Sequence, residues 1–155
     1  MSPWDFMSGL TAMAVSKIRT ITLQVETHGN TDVVDLTGRI RELLAAEGMH
    51  EGSVLVFAVG STAAITTVEY EPGLVETDLK ATFEKIAPYA ARYAHNKTWG
   101  DDNGAAHLRA SLVGPSLVVP FSEGRLLLGT WQQIVLIDFD TRPRRREVVL
   151  QLRGG

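Results

Sequence analysis

A chain of 155 residues that is 45% hydrophobic and 21% charged has the balance of one ordinary globular domain, large enough to bury a core without cross-links. Its formal charge of -3 offers no positive field to a nucleic-acid backbone or an anionic membrane, and no run reaches the ~20 apolar residues of a membrane-spanning helix. The absence of cysteine excludes disulfides, thiolate metal sites and thiol nucleophiles together; a cytoplasmic location is the compatible expectation.

Residues 1–16 read as an N-terminal extension, because they carry Asp5 but no basic residue before Lys17 and so lack the charged start of a secretory signal. One domain is expected over 17–155. KIRTITLQVET alternates Ile18, Thr20, Thr22 and Gln24 with Arg19, Ile21, Leu23 and Val25, which predicts a strand over 17–27. In GNTDVVDLTGRIRELLAAEGM the spacing changes to three and four through Val33, Leu36, Ile40, Leu43 and Leu44. This predicts a helix of about four turns, capped near Asn30 or Thr31 and ended by Gly48. SVLVFAV reads as a central strand buried on both faces. GSTAAITTVEYEPG holds a loop and another strand up to Glu69. Pro72 suits the first turn of a second helix over 72–87, with Glu69 and Glu71 at its positive end and Pro88 as its stop.

Beyond residue 108 the chain reads as all strand: ASLVG, SLVVPF, RLLLGTWQQIVLIDFD and REVVLQLR, separated by turn signals. About seven strands and two main helices, with the strands clustered late, predict an α+β domain built on a largely antiparallel sheet. The sequence carries no G-x-G-x-x-G, P-loop, G-x-S-x-G or H-E-x-x-H.

The stretch HNKTWGDDNGAAHLRASLVGP, 95–115, holds two of the four histidines together with Asp101, Asp102 and Asn103. D-D-N-G alone is a good turn, and His95 and His107 lack the spacing that would put them on one helix face. As a site, the oxygen donors suit Mg²⁺ and the imidazoles suit zinc or another transition metal, a mixed set able to take a metal-phosphate ligand. Elsewhere Ser61 and Thr62 offer hydroxyls for a phosphate or a cap, Glu69 is a candidate base at a strand end, and Trp131 beside Gln132 is core or the wall of a ring-binding pocket. TRPRRR, with Arg142 and Arg144 to Arg146, reads as a solvated turn, then as a phosphate clamp or subunit contact.

In this order, GSTAAITTVEYEPGLVETDL, H-x(3)-W-G-D-D-N-G-A-A-H-L, G-P-S-x-x-V-P, LGTWQQIVLIDFD and R-x-R-x-V resemble the YjbQ-like family, also described as secondary thiamine-phosphate synthases. The resemblance implies a homotrimer of α+β subunits. It also implies a reaction joining hydroxymethylpyrimidine diphosphate to thiazole phosphate with release of pyrophosphate, usually with Mg²⁺. A non-catalytic trimer that binds a metal or small anion is the alternative. The family positions fall on Ser61, Thr62, Glu69, His95, Asp102, Asn103, His107, Trp131 and Gln132. Of these, Glu69, His95, Asp102 and His107 are expected to be catalytic, with Asp102, His95 and His107 as metal ligands; Ser61, Thr62, Asn103, Trp131 and Gln132 are expected to bind a small phosphorylated molecule. One departure stands out: many members carry His-Thr-Thr-Ala where this chain has Gly60-Ser61-Thr62-Ala63.

Overall fold

The computed structural model describes residues 16–155, so the expected N-terminal extension lies, apart from Ser16, outside the described residues. The elements run β1 (Lys17–Thr27), β2 (Asp32–Asp35), α1 (Thr37–Glu47), β3 (Gly52–Val59), β4 (Ala63–Val68), a wide helical turn (Gly73–Asp78) leading into α2 (Leu79–Ile86), α3 (Ala94–Trp99), α4 (Gly104–Val113), β5 (Ser116–Ser122), β6 (Arg125–Leu126), β7 (Gln133–Asp138) and β8 (Arg144–Gly154). Two antiparallel sheets result, one of five strands in the order β1-β8-β3-β5-β6 and one of three in the order β2-β7-β4. The α+β expectation with antiparallel sheets holds.

Period-two alternation builds the first core. Leu23, Val25, Val54, Val56, Val148 and Leu150 of the large sheet face Ile65, Ile134 and Leu136 of the small one, with Ile40 and Leu44 of α1 in the same cluster. The small sheet's other face carries Ala64, Val135 and Ile137 against Phe83 of α2 and Ala106 and Ala110 of α4. The strand buried on both faces is therefore β7, whereas SVLVFAV leaves Phe57 and Val59 exposed, among the described residues, on the outer face of the large sheet.

Two expectations change. The first helix begins at Thr37, because residues 32–35 pair with β7 instead of capping a longer helix; Asn30 and Thr31 both take left-handed backbone conformations that turn the chain into β2. ASLVG is the end of α4, where alanines at 105, 106 and 110 pack the helix closely onto β4 and β7 and tertiary burial overrides the β-branched tail.

Helix α4 is anchored by Arg109, 1% exposed. Its guanidinium donates to the Ala87 carbonyl at 2.9 and 2.7 Å, to Thr31 Oγ1 at 3.1 Å and to Glu84 at 2.6 Å, and lies 3.7 Å from the centre of the Tyr89 ring. Left-handed backbone at the β-branched Thr31 stores strain of order 1–3 kcal/mol, offset by what Arg109 holds there. Replacing Arg109 by Met, which leaves the Ala87 carbonyl without its buried donor, should lower unfolding free energy by about 2 kcal/mol, read by urea denaturation; a loss below about 1 kcal/mol, the size of one ordinary hydrogen bond, would show that the anchor is dispensable.

Candidate functional site

The polar stretch folds as two short helices at an angle, not as a loop entering a strand. Gly100, at φ 69, ends α3 in the left-handed conformation, and residues 101–103 make the turn that D-D-N-G foretold. Gly104 then permits a close approach: a Cβ there would stand 2.6 Å from both Asn96 Oδ1 and Tyr93 Cβ. Asn96 accepts the Gly104 N–H at 2.9 Å, closing the corner. This geometry brings together His95 at the start of α3 and His107 in α4, with ring centroids 4.3 Å apart and planes tilted by 38°. Spacing along one helix could not have shown it, since the pairing is made by the corner.

Asp101 supplies the acid beside the pair, its Oδ1 3.3 Å from His95 Nδ1. The two atoms face each other without the alignment of a hydrogen bond, and both are buried. Asn103 Oδ1 and Asp140 Oδ1 are likewise buried without a hydrogen-bond partner among the described residues. The three oxygens are acceptors, and the role of His95 Nδ1 follows from its tautomer. Asp102, the expected metal ligand, points elsewhere: it accepts the Thr141 hydroxyl at 2.9 Å and faces Arg142 at 3.9 Å. Among the described residues no three His, Cys, Asp or Glu side chains are arranged to hold a metal ion by themselves.

Beneath the histidines lies a network that sequence reasoning missed. Arg146 forks onto Asp138 at 2.7 and 2.6 Å and donates to Thr62 Oγ1 at 2.8 Å; Thr62 donates to Asp140 at 3.0 Å, and so does Arg144, also at 3.0 Å. Thr62 is accordingly a strut of this network, not a free ligand group. The signal was present in IVLIDFD, where two aspartates two residues apart occupy an otherwise apolar strand and demand a buried partner. The basic run is only partly the expected solvated turn. Arg142 and Arg145 are exposed, but Arg146 is buried, and each arginine faces a carboxylate: Arg142 with Asp102, Arg144 with Asp140, Arg145 with Glu26 at 3.6 Å and Arg146 with Asp138.

The remaining expected residues form a separate group. Trp131 is neither core nor in a strand: it lies in the loop between β6 and β7, 70% exposed, beside a cavity of about 330 Å³ lined also by Glu69, Tyr70 and Asp35. Gln132 braces that loop, donating to Thr67 Oγ1 and accepting the Gly129 N–H. In the β4–β7 register, Ala63 pairs with Asp138 at one end and Val68 with Gln133 at the other. The histidine group and the Glu69–Trp131 group therefore sit at opposite ends of these strands, roughly 20 Å apart in one chain.

A family model described as "UPF0047 protein YjbQ-like" matches residues 21–155. A UPF0047 protein of Archaeoglobus fulgidus is 37% identical over 83% of this chain and 97% of its own length. The UPF0047 protein YugU of Bacillus subtilis is 32% identical over 86% of this chain and 98% of its own. Among solved structures, a YbjQ-like protein of unknown function from Sulfolobus solfataricus superposes with a TM-score of 0.84 at 32% identity, covering 90% of this chain and 99% of that one. A hypothetical protein from Aeropyrum pernix gives 0.82 at 34%, covering 88% and 99%.

Burial, and then the neighbouring His95, lower the His107 pKa against the opposing pull of Asp101, Asp140 and a hydrogen bond to the Ser61 backbone. For Asp140, burial pushes the carboxyl up, but the Arg144 and Thr62 hydrogen bonds and the charges of Arg144 and Arg146 together hold it below its usual value. Because folding depresses the His107 pKa, the unfolded chain takes the proton first. Stability linked to this ring is complete above its ordinary value of 6.5 and is lost as the pH falls below it. Proton NMR should place the His107 midpoint below 6.5; a midpoint above it would mean that the acids, not burial, govern the ring.

Proposed function

The chain belongs to the UPF0047 family of YjbQ-like proteins, and from that premise we propose that it binds a small phosphorylated molecule together with a divalent metal at the His95–His107 pair. The single observation that carries this reading is the set of buried polar atoms without a hydrogen-bond partner among the described residues, the oxygens Asp101 Oδ1, Asn103 Oδ1 and Asp140 Oδ1 together with His95 Nδ1, which suits a cation or a strong donor. Two imidazoles in the donor set favour zinc or a similar transition metal over the Mg²⁺ that the resemblance implies. The protein supplies too few ligands to close a coordination shell, which leaves positions for phosphate oxygens. When bound, the metal would offset the charge of those oxygens. His107, with its pKa lowered by burial, presents a neutral imidazole, and His95 and Asp101 hold the other side of the opening.

The thiamine-phosphate synthase reaction asks for more. Its diphosphate would sit with the histidines, whereas Glu69, Trp131 and Gln132 occupy the far end of β4 and β7. Both groups could serve one reaction only where two copies meet. Binding therefore stands first, and transfer second. The homotrimer belongs to the same proposal: the outer face of the five-stranded sheet presents Ile18, Phe57, Val59 and Val118, exposed by 62, 38, 45 and 62%, an apolar surface suited to burial against other copies.

Calorimetric titration should show about one zinc bound per chain, weakened about tenfold or more in His107→Ala and Asp101→Asn and unchanged in Asp102→Asn. Full affinity in His107→Ala would end the metal reading. Incubation with hydroxymethylpyrimidine diphosphate and thiazole phosphate should release pyrophosphate if transfer occurs, and Glu69→Gln should abolish it; absence of product leaves binding as the function. Light scattering should give about three times the 16.9 kDa chain mass, with Val118→Lys shifting the protein to smaller species; a native mass of one chain would refute the trimer.

A further inference from the structure

Between α4 and the turn joining β3 to β4, the structure holds a cavity of about 330 Å³ that the binding proposal does not use. Its walls are Gly60, Ser61, Ala63, Ala110, Ser111 and Pro115, and His107 forms part of the same lining. These side chains are small, so the space exists because none of them fills it. Ser111 spends its hydroxyl on the Leu108 carbonyl at 2.8 Å and turns no free donor toward the slot. Gly60 keeps one side open by conformation: its φ of 149° is rarely taken by other residues, and a Cβ there would stand 3.2 Å from Arg146 Nη1. The lining surface is mostly apolar, with the imidazole and the Ser61 hydroxyl as its polar groups beside the already paired Ser111.

We propose that this slot receives the apolar body of the ligand, so that the physiological molecule is an organic phosphate with a compact, ring-sized apolar group adjoining the phosphate. This deepens the phosphate-binding reading and rests on it. The volume lies at the lower end of small-ligand pockets, ~300–1,000 Å³. That end suits a single ring or short branched chain and is too small for a dinucleotide or a peptide. Continuity with His107 makes the assignment specific, because a phosphate at the histidine pair has its ester substituent directed either to solvent or into this space. Buried there, the substituent trades water for alanine, proline and glycine surface. A sugar phosphate gains less from such walls, since its several hydroxyls would lose water with chiefly Ser61 to answer them.

The test uses the full chain loaded with zinc and compares inorganic phosphate with phenyl phosphate by calorimetry, in the native protein and in Ser111→Phe and Ser111→Ala. Ser111 is exposed on α4, so both variants should keep the native circular dichroism. Phenyl phosphate should bind native protein about tenfold tighter than phosphate, the effect of burying roughly two methylene equivalents. Ser111→Phe should erase that preference and leave inorganic phosphate affinity unchanged, with Ser111→Ala behaving as native. Equal affinities in the native chain, or a preference that survives Ser111→Phe, overturn the slot and leave the phosphate reading standing. If neither probe binds, the phosphate reading falls and takes the slot with it. Should Ser111→Phe change the molecular mass without changing ligand preference, the slot belongs to a neighbouring copy and the proposal is refuted.

Discussion

The pairing of Arg146 with Asp138 is the constraint on which the rest of the molecule depends. Arg146 lies in β8 of the large sheet and Asp138 in β7 of the small one, and both are buried. Asp138 accepts two bonds from Arg146, one from Thr27 Oγ1 at 2.5 Å at the end of β1, and the Asp140 N–H at 2.9 Å. A buried ion pair gives little net stability against an apolar isostere, but losing either partner strands a charge at a cost of about 3–5 kcal/mol. What the pair provides is register. It ties together two sheets whose inner faces are otherwise held by non-directional apolar packing, and it does so close to the histidines.

Above that network, the site is carried by a helical corner hung from the other side. The corner has little apolar surface of its own: α3 has no buried residue, and α4 contributes chiefly small side chains to the core. Its position is therefore set by polar geometry, through Asn96 on Gly104 and through Arg109 on Ala87, Thr31 and Glu84. The strained turn at Asn30 and Thr31 joins the two supports, since Asn30 donates to the Asp140 carbonyl at 2.7 Å while Thr31 accepts from Arg109. Gly29 beside it has no room for a side chain, because a Cβ would collide with the same Asp140 carbonyl oxygen. One left-handed turn thus locks the acid under the site to the helix that carries the imidazole.

The elements whose side-chain period is a property of the strand or helix itself were legible in the sequence: β1, β3, β4, β5, β8 and the helical run from Gly73 to Ile86, with Glu71 accepting from the Gly73 and Leu74 amides at its start. Elements decided by a partner were not. Val33 and Val34 could face a helix stripe as well as a strand, and only pairing with β7 decides. In ASLVG local preference and tertiary burial disagree, and burial wins. The site was half legible: the density of polar residues in 95–107 marked it, but the choice of Asp101 over Asp102 depends on which way a three-residue turn faces. Trp131 was misplaced because aromatic and β-branched neighbours in LGTWQQIVL mimic a strand across a loop that Gln132 closes with its own side chain.

The arginine run bears on what the site can bind. Four arginines beside a polar opening suggest an anion clamp, yet their charges are already answered one for one by Asp102, Asp140, Glu26 and Asp138. The exposed pairs, Arg142 with Asp102 and Arg145 with Glu26, are weak and screened by salt, but they stand at the rim and beyond it, not among the orphaned acceptors. At the opening itself the unpartnered atoms are Asp101 Oδ1, Asn103 Oδ1, Asp140 Oδ1 and His95 Nδ1, and the arginines that reach Asp140, Arg144 and Arg146, are already taken up by the Asp140 and Asp138 carboxylates. A bare phosphate would meet the like charge of Asp101 and Asp140 with little beyond imidazole N–H groups to donate. On the proposed reading a cation comes between such an anion and these oxygens, and the two facing imidazole rings are ligands of the type a transition metal takes.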